Sequence, residues 1–297
     1  MFQLILKPIK IILFFNNLRG LNVFDFLSKK KKIKISKIIL AKKNLNKDII
    51  QILKTKKINY KILEKKKLNK KNKIFKEKID LYILCGFPYI IKKNLFNIPR
   101  FGTLNLHAGP LPQYRGGSPL NWQIINGEKK IGLSIIKINQ TIDGGPLLAQ
   151  RFFKLKKYYN IKDVHEIANK IFPKILFSSI LKMINQKNPF ISKSKKKPRY
   201  FNQRSKKDGH ILWKKMNDID VYNFIRAQTK PYPGAYSFKN DKKKVIIYKS
   251  SFTKKNFPNL KAGQVFIKNR QIFIKTKRKF IKINNKLGKL KHLELLN

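Results

Sequence analysis

The sequence is poor in cysteine, acidic residues and long apolar runs, and each shortage excludes a class of protein. Cys85 is the single cysteine, which excludes a disulfide framework and a cysteine-based zinc site and fits a reducing compartment. The apolar stretch Ile11 to Phe15 is far shorter than the roughly 20 apolar residues of a membrane span. We therefore expect no membrane span and no export signal, and a cytoplasmic location.

Acidic residues number 14 against 70 Lys and Arg, which gives this chain of 297 residues a formal net charge of +56. Such a charge first suggests a nucleic acid partner, because neutralising phosphates releases counterions. The lysines, however, are spread along nearly the whole chain with Ile and Asn, which indicates a general compositional bias. Selection for a polyanionic partner remains the alternative, since that bias does not explain the scarcity of acids.

A hydrophobic fraction of 42% is enough to build a core. Short apolar runs alternate with amphipathic stretches in the first part of the chain, which is typical of an α/β domain with a mostly parallel sheet. The predicted strands are 9–15, 36–40, 60–63, 79–85, 101–106, 132–138 and 147–153. Helices are predicted after the first two strands and over 162–185, where Pro173 is expected to kink or split the helix.

A polar, basic stretch then predicts a linker, and the run from Ser192 to Lys197 is part of it. Beyond it, a helix at 219–227 and strands at 236–238, 244–249, 263–267 and 271–274 predict a small β-rich domain, an OB-like barrel. The predicted boundaries are 1–187 for the α/β domain, 188–206 for the linker and 207–297 for the β-rich domain. The pattern leaves open whether the residues after Lys277 are ordered.

The first strand is followed by one glycine, Gly20, instead of a G-x-G-x-x-G fingerprint, which argues against a dinucleotide site. Phosphate-loop and metalloprotease signatures are also missing. The informative stretch begins where the strand predicted at 101–106 runs into a loop rich in Gly and Pro. Residues two apart in a strand point to the same face, so Asn105 and His107 project together at the carboxyl edge of the sheet, where open α/β sheets bind ligands.

Asp143 follows the next strand and is placed to meet His107 from the neighbouring strand end. An amide, a histidine and an aspartate form the set needed for acyl transfer to an amine. The histidine moves the proton, the aspartate orients it and favours its charged form, and Asn105 stabilises the oxyanion. The simpler interpretations are a structural histidine at a strand end and an aspartate that forms a turn before two glycines.

Four segments resemble the 10-formyltetrahydrofolate-dependent formyltransferases in order and spacing: Asn105 to His107, Leu111 to Gly116, Pro119 to Trp122, and Ile142 to Gly145. The resemblance extends over about residues 79–240. It implies a Rossmann-like formyltransferase domain in 1–187, with 10-formyltetrahydrofolate as the formyl donor and no metal.

The resemblance also implies residue roles. Asn105 matches the amide that stabilises the oxyanion, His107 the proton-transfer residue, and Asp143 the carboxylate that favours the charged histidine. The residues matching the formyl-folate site are Tyr89, Ile90, Ile91, Asn139, Gln140, Thr141 and Ile142. Gly117 departs from sugar-modifying relatives, which can carry an Arg that touches the folate there.

The acceptor is predicted from the second half of the chain, where 200–204, 208–211, 222–227 and 231–235 fit the sugar-nucleotide branch of the family. Only Ala41 to Lys47 follows the second strand, where the tRNA branch tends to insert a long basic loop. We therefore expect an amino sugar attached to a nucleotide, with initiator methionyl-tRNA as the alternative. A non-catalytic, basic nucleic-acid-binding protein on this scaffold is the alternative of another class, and the sequence predicts no oligomeric state.

Overall fold

A computed structural model of the chain describes residues 7–68, 75, 77–191, 194, 196–257 and 259–297. The strands are β1 (Ile9–Phe15), β2 (Ile33–Ala41), β3 (Tyr60–Leu63), β4 (Leu81–Cys85), β5 (Thr103–His107), β6 (Arg115–Gly116), β7 (Lys130–Lys137), β8 (Leu147–Lys154), β9 (Tyr200–Phe201), β10 (Ala235–Phe238), β11 (Lys244–Phe252), β12 (Val265–Lys268), β13 (Gln271–Lys275) and β14 (Phe280–Leu287). The helices are α1 (Leu18–Leu27), α2 (Lys47–Thr55), α3 (Lys65–Leu68), α4 (Lys93–Phe96), α5 (Pro119–Ile125), α6 (Ile161–Asn185) and α7 (Asp218–Gln228).

The chain divides into two compact units that are not contiguous in sequence. The first unit contains Met1–Gly116, Gly132–Phe152 and Glu166–Tyr200, and the second contains Gly117–Ile131, Phe153–His165 and Phe201–Asn297. The boundaries 1–187, 188–206 and 207–297 therefore stay a prediction. Of the predicted linker, residues 192, 193 and 195 lie outside the described residues, and its C-terminal part contains β9.

The first unit is built on a seven-stranded sheet in the order β3, β2, β1, β4, β5, β7 and β8. The pairs β2–β3, β1–β2, β1–β4 and β4–β5 are parallel, whereas β5 and β7 are antiparallel. The mostly parallel α/β sheet predicted from the sequence is thus confirmed. Every side chain from Ile11 to Phe15 in β1 is fully buried, and each contributes about 1.5–3 kcal/mol of hydrophobic stabilisation.

Helix α6 runs unbroken through Pro173. Of the two outcomes predicted for this proline, a split of the helix is therefore excluded. The missing N–H of a proline costs one hydrogen bond of the helix ladder, and the buried face of α6, with Phe172 and Leu176 fully buried, offsets that loss.

The second unit contains a five-stranded antiparallel sheet in the order β10, β11, β14, β13 and β12. Its core includes Trp213, Val221 from α7 and Ile247 from β11. This confirms the predicted β-rich C-terminal part. Strand β14 lies in the Lys- and Asn-rich stretch whose order the sequence left open, and it occupies the centre of the sheet because its apolar residues are buried there.

Within the described part of the chain, no helix is long and apolar enough to cross a bilayer.

Candidate active site

A cavity of about 600 Å³ lies in the first unit, over the strands β4, β5 and β7. Leu84, Asn105 and Ile136 are direct partners across these three strands. Side chains of direct partners point to the same face of a sheet, so this row forms part of the cavity wall. The polar Asn105 therefore lies in an otherwise apolar row, at a position that a purely structural sheet fills with an apolar side chain.

His107 projects on the same side of β5 as Asn105, as the spacing of two predicts. Its side chain is 5% exposed, and its two ring nitrogens face two oxygen atoms. Nε2 lies 2.5 Å from the Tyr114 carbonyl oxygen, and Nδ1 lies 3.5 Å from Asp143 Oδ2. An imidazolium donates to both oxygens, whereas either neutral tautomer turns one lone pair toward an oxygen.

Asp143 joins the predicted catalytic residues into one cluster. Besides facing His107, it accepts a hydrogen bond from Asn105 Nδ2 at 3.3 Å through Oδ1 and one from the Gly116 amide at 2.9 Å through Oδ2. Its side chain is 12% exposed. The carboxylate is thus held between the amide and the imidazole, and it contacts both of the other residues singled out from the sequence, Asn105 and His107.

Asp143 reaches this position by a route that the sequence did not predict. Because β7 runs antiparallel to β5, the end of β7 at Lys137 pairs with Leu104, near the start of β5. We expected the carboxylate to meet His107 from the neighbouring strand end. That expectation is wrong, because this end of β7 lies beside the start of β5. The loop after β7 doubles back along β5 to bring Asp143 to His107.

Two glycines after Asp143 make this return possible. A Cβ atom on Gly145 would lie 1.8 Å from the Lys137 carbonyl oxygen, and one on Gly144 would lie 2.6 Å from the Thr141 methyl carbon. Asp143 itself has a left-handed backbone with φ 47°, which aspartate tolerates better than most residues. The geometry of the loop thus requires the two glycines, and the contact with His107 requires the carboxylate of Asp143.

Asn139 closes the same loop. Its Oδ1 accepts a hydrogen bond from the Thr141 amide at 3.0 Å, and its Nδ2 donates to the Gly144 carbonyl at 3.4 Å. A side chain that bonds to its own loop in this way fixes the backbone of a turn. Asn139 therefore shapes the cavity wall from within the loop.

The loop after β5 is fixed by two polar residues that sequence reasoning missed, the buried Ser134 and the half-buried Gln150. Ser134 is the strand partner of His107, and its hydroxyl donates to the Gly109 carbonyl at 2.7 Å. Gln150 Nε2 donates to Ser134 Oγ and to the Leu111 carbonyl. Neither residue belongs to a motif, because their roles depend on the register of β7 against β5, which local sequence does not reveal.

All seven residues predicted for the formyl-folate site line the cavity: Tyr89, Ile90, Ile91, Asn139, Gln140, Thr141 and Ile142. Asn105 and Asp143 also line it, whereas His107, which contacts Asp143, does not. The sequence analysis missed other lining residues: Leu84, Phe87, Lys92, Lys93, Asn94, Phe96, Ile136, Ile138 and Gly145. Ile90 and Ile142 are 70% and 55% exposed, which leaves apolar surface at the cavity for a ligand to cover.

Other chemically reactive residues are placed away from this cluster or within the core. Cys85 is fully buried at the end of β4, and burial raises the pKa of its thiol to about 12. In the second unit, His165 contacts the Tyr232 hydroxyl and His210 the Asn297 carbonyl. Across the described residues, no group of three or more His, Cys, Asp or Glu is arranged to hold a metal ion.

The fold agrees with comparisons to known families. Residues 22–180 match the family described as formyl transferase, and residues 204–291 match the formyl transferase C-terminal domain. The chain belongs to the formyl transferase family. The resemblance deduced from the motifs is confirmed, and the matched residues of the first family include Asn105, His107 and Asp143.

This formyl transferase family member is similar to proteins whose names describe different functions. It is 39% identical over 181 residues to a bifunctional polymyxin resistance protein ArnA of Wigglesworthia glossinidia brevipalpis, a match of 58% of this chain and 26% of that protein. It is 32% identical over 162 residues to the methionyl-tRNA formyltransferase of Malacoplasma penetrans, a match of 54% of this chain and 50% of that protein. The chain thus spans about a quarter of the first relative and half of the second.

Solved structures resemble the family member along nearly its whole length. The sugar 3N-formyl transferase WlaRD, crystallised with dTDP and 5-N-formyl-THF, has a TM-score of 0.69 at 22% identity, over 95% of this chain and 99% of that one. An N-formyltransferase from Helicobacter canadensis, in complex with folinic acid and dTDP-3-aminofucose, has a TM-score of 0.68 at 18% identity, over 94% and 100%. At such identities the likeness shows the fold.

Proposed function

We propose that the protein transfers a formyl group from 10-formyltetrahydrofolate to a primary amine, with Asn105, His107 and Asp143 as the catalytic residues. The observation that carries the proposal is the single cluster in which Asp143 contacts both Asn105 and His107, with Asn105 and Asp143 at the wall of a cavity. A turn-forming aspartate and a structural histidine have no reason to meet at a ligand-sized cavity. Their convergence favours acyl transfer over a purely structural arrangement.

The cavity suits the proposed donor in shape and chemistry. Its wall is mostly apolar and includes Phe87 and Tyr89, which suits a flat heteroaromatic ring. Lys92 and Lys93 also line it, and their positive charges suit the carboxylates of a folate tail. Structural neighbours that carry 5-N-formyl-THF or folinic acid support the same ligand class.

In the proposed reaction, 10-formyltetrahydrofolate supplies the formyl group. The acceptor nitrogen forms a bond to the formyl carbon, the bond from that carbon to N10 breaks, and one proton moves from the amine to N10. His107 Nε2 is anchored on the Tyr114 carbonyl, so Nδ1 is the ring nitrogen that handles this proton. Asp143 Oδ2 faces Nδ1 and stabilises the ring while it is charged.

Asn105 stabilises the tetrahedral intermediate. Its Nδ2 donates one N–H to Asp143, and an amide nitrogen carries a second N–H, which we assign to the oxyanion. An oxyanion donor of this kind contributes about 10²- to 10³-fold to the rate. The contact with Asp143 holds the amide in place before the charge develops.

We propose a nucleotide-linked amino sugar as the acceptor. Two observations support it. The first is the likeness to sugar formyltransferases along 95% and 94% of the chain. The second is the short connection between β2, which ends at Ala41, and α2, which begins at Lys47, where the tRNA branch tends to insert a long basic loop. Initiator methionyl-tRNA is the second candidate, because methionyl-tRNA formyltransferases are among the relatives above 30% identity and the net charge of +56 suits a polyanion.

An acceptor panel tests both proposals. The full chain is incubated with 10-formyltetrahydrofolate and a dTDP- or UDP-linked amino sugar, initiator methionyl-tRNA or no acceptor, and the formylated product is detected by mass spectrometry. We expect formylation of the amino sugar. Formylation of methionyl-tRNA alone would replace the proposed acceptor by the second candidate. Salt-dependent tRNA binding without turnover on any acceptor would contradict the enzymatic function and favour a nucleic-acid-binding protein.

A further inference from the structure

A half-buried arginine lies next to the catalytic cluster without a counterion. Arg115 is the first residue of the short strand β6, which pairs with β9, and its amide donates to the Arg199 carbonyl at 3.0 Å. The next residue, Gly116, donates to Asp143 Oδ2. The backbone of Arg115 is therefore fixed on one side by residue 199 and on the other by a direct contact with the catalytic carboxylate.

The guanidinium group is also held in one place. Its Nη1 donates to the Tyr200 hydroxyl at 2.8 Å, and its carbon lies 5.5 Å from the centre of the Tyr200 ring. A Cβ atom on Gly144, the residue after Asp143, would lie 3.4 Å from Nη1. The guanidinium thus packs directly against Gly144, where a larger side chain would contact it, and Tyr200 holds it in this position.

Arg115 has N–H groups that donate no hydrogen bond within the described part of the chain. Its Nε is buried and has no hydrogen-bond partner among the described residues, and no ion pair within the described ranges includes Arg115. Partly burying a cation without a neighbouring anion is unfavourable. A guanidinium fixed in this state suits an anion that arrives from outside the protein, for which its planar donors are well arranged.

The location of Arg115 assigns that anion to the acceptor. Asn105 and Asp143 line the donor cavity, whereas Arg115 does not. Arg115 is nevertheless close to Asp143, because the next residue, Gly116, donates a hydrogen bond to it. An anion bound by Arg115 therefore lies beside the catalytic cluster and outside the cavity proposed for the folate. An acceptor that approaches the cluster from this side brings its anionic group to Arg115.

We propose that Arg115, held by Tyr200, binds a phosphate group of the acceptor and is a specificity-determining residue for acceptors that carry phosphate. The inference rests on the proposed formyl transfer and deepens it. The shared chemistry is a phosphate ester, supplied by the diphosphate of a nucleotide sugar or by the backbone of a tRNA. The arms of the experiment separate these two sources.

The test is the dissociation constant of dTDP, UDP and initiator tRNA, measured at constant salt for the full chain and its variants. For each probe that the unchanged protein binds, we expect Arg115→Ala to weaken binding about 10- to 100-fold, the effect of a lost charge-assisted hydrogen bond. Arg115→Lys recovers part of the affinity, because the charge remains and the planar donors are lost. The dissociation constant of 5-formyltetrahydrofolate stays within about two-fold, as expected for a separate donor cavity.

Arg100→Ala is the matched control. Arg100 also lies over an aromatic ring, at 5.0 Å from the centre of the Phe101 ring, but it is exposed and does not line the cavity. We expect it to leave the three dissociation constants unchanged. Tyr200→Phe keeps the ring, removes the hydroxyl that holds Nη1, and gives a loss smaller than that of Arg115→Ala.

Three results would overturn the inference: Arg115→Ala binding every probe as tightly as the unchanged protein, Arg100→Ala weakening the probes equally, or the unchanged protein binding none of them. Circular dichroism of each variant shows whether it is folded, and Arg115→Lys and Tyr200→Phe provide the comparison if Arg115→Ala is not. Failure of the proposed function has a different signature, namely phosphate binding that depends on Arg115 without formyl transfer to any acceptor.

Discussion

Two arginines, one in each compact unit, differ in how many of their N–H groups donate hydrogen bonds. Arg226 in the second unit donates through Nε to Asn223 Oδ1 and through Nη1 to the carbonyls of Lys156, Lys157 and Tyr159. Desolvation lowers its pKa, and these oxygens compensate for part of that cost. Arg115 in the first unit has the Tyr200 hydroxyl and ring, and a buried Nε without a partner.

Two histidines repeat the contrast. His210 in the second unit contacts the Asn297 carbonyl at 2.9 Å and stacks on Tyr236 at 5.3 Å between ring centres. His107 lies between a carbonyl and a carboxylate that also contacts Asn105. His210 thus contacts backbone and an aromatic ring, which stabilises the fold. His107 instead faces a carboxylate that lines a cavity, which is the arrangement that proton transfer requires.

The largest loss of formyl-transfer rate is expected from Asp143→Asn, in the first unit. The amide keeps the size of the side chain but removes the charge that faces His107 Nδ1, so the rate of formyl transfer falls about 10³-fold. Single-turnover measurement with saturating donor and acceptor isolates the chemical step. A fall of less than ten-fold would show that the carboxylate serves only to form the turn.

Gly145→Ala moves the same carboxylate without changing it. The new methyl group clashes with the Lys137 carbonyl, so the loop shifts and displaces Asp143 from His107. A displacement of about 1 Å is expected to lower the transfer rate about 100-fold. Near-native activity, in a variant whose circular dichroism is unchanged, would show that the returning loop is not needed to position the aspartate.

Arg226→Ala is expected to affect stability alone. Removing its four hydrogen bonds, three of them to backbone carbonyls, destabilises the second unit by about 2 kcal/mol. Urea unfolding measures the free energy, and formyl transfer per folded molecule stays unchanged. Arg115→Ala has the opposite profile, with a weak effect on unfolding. Equal losses of stability in the two variants would remove the contrast between the arginines.

The smallest effect concerns Cys85, which is packed in the sheet below the cavity region. Because burial raises its thiol pKa to about 12, the thiolate forms only at far higher pH than 8, and the thiol is inaccessible. A thiol-specific chromogenic reagent at pH 8 is expected to label it only after denaturation. Rapid labelling of the native chain would show that β4 opens readily.

The candidate residues Asn105, His107 and Asp143 could be predicted because they lie in short motifs. The spacing of Asn105 and His107 places them on one face of a strand, and the position of Asp143 after the next strand predicted that it lies near His107. The family resemblance implied the role of each residue. The antiparallel direction of β7 was not accessible, since strand direction depends on pairing between distant segments. The same limit hid Ser134 and Gln150, whose hydrogen bonds exist only once β5, β7 and β8 are aligned.

The second unit was harder to predict at its C-terminal end. Strand β14 lies in a run rich in Lys and Asn, which local propensity assigns to turns and loops. Its alternate residues nevertheless pack in the core between β11 and β13, with Ile281 and Ile283 buried. Tertiary packing therefore decides the structure of this stretch.

The most direct test of the account is formyl transfer by His107→Ala beside His210→Ala, measured as formylated product from 10-formyltetrahydrofolate and the acceptor that the panel identifies. The account predicts a loss of about 10³-fold for His107→Ala and less than two-fold for His210→Ala, with both variants folded. A His107→Ala enzyme that retains near-native turnover would contradict the central claim that this cluster performs the reaction.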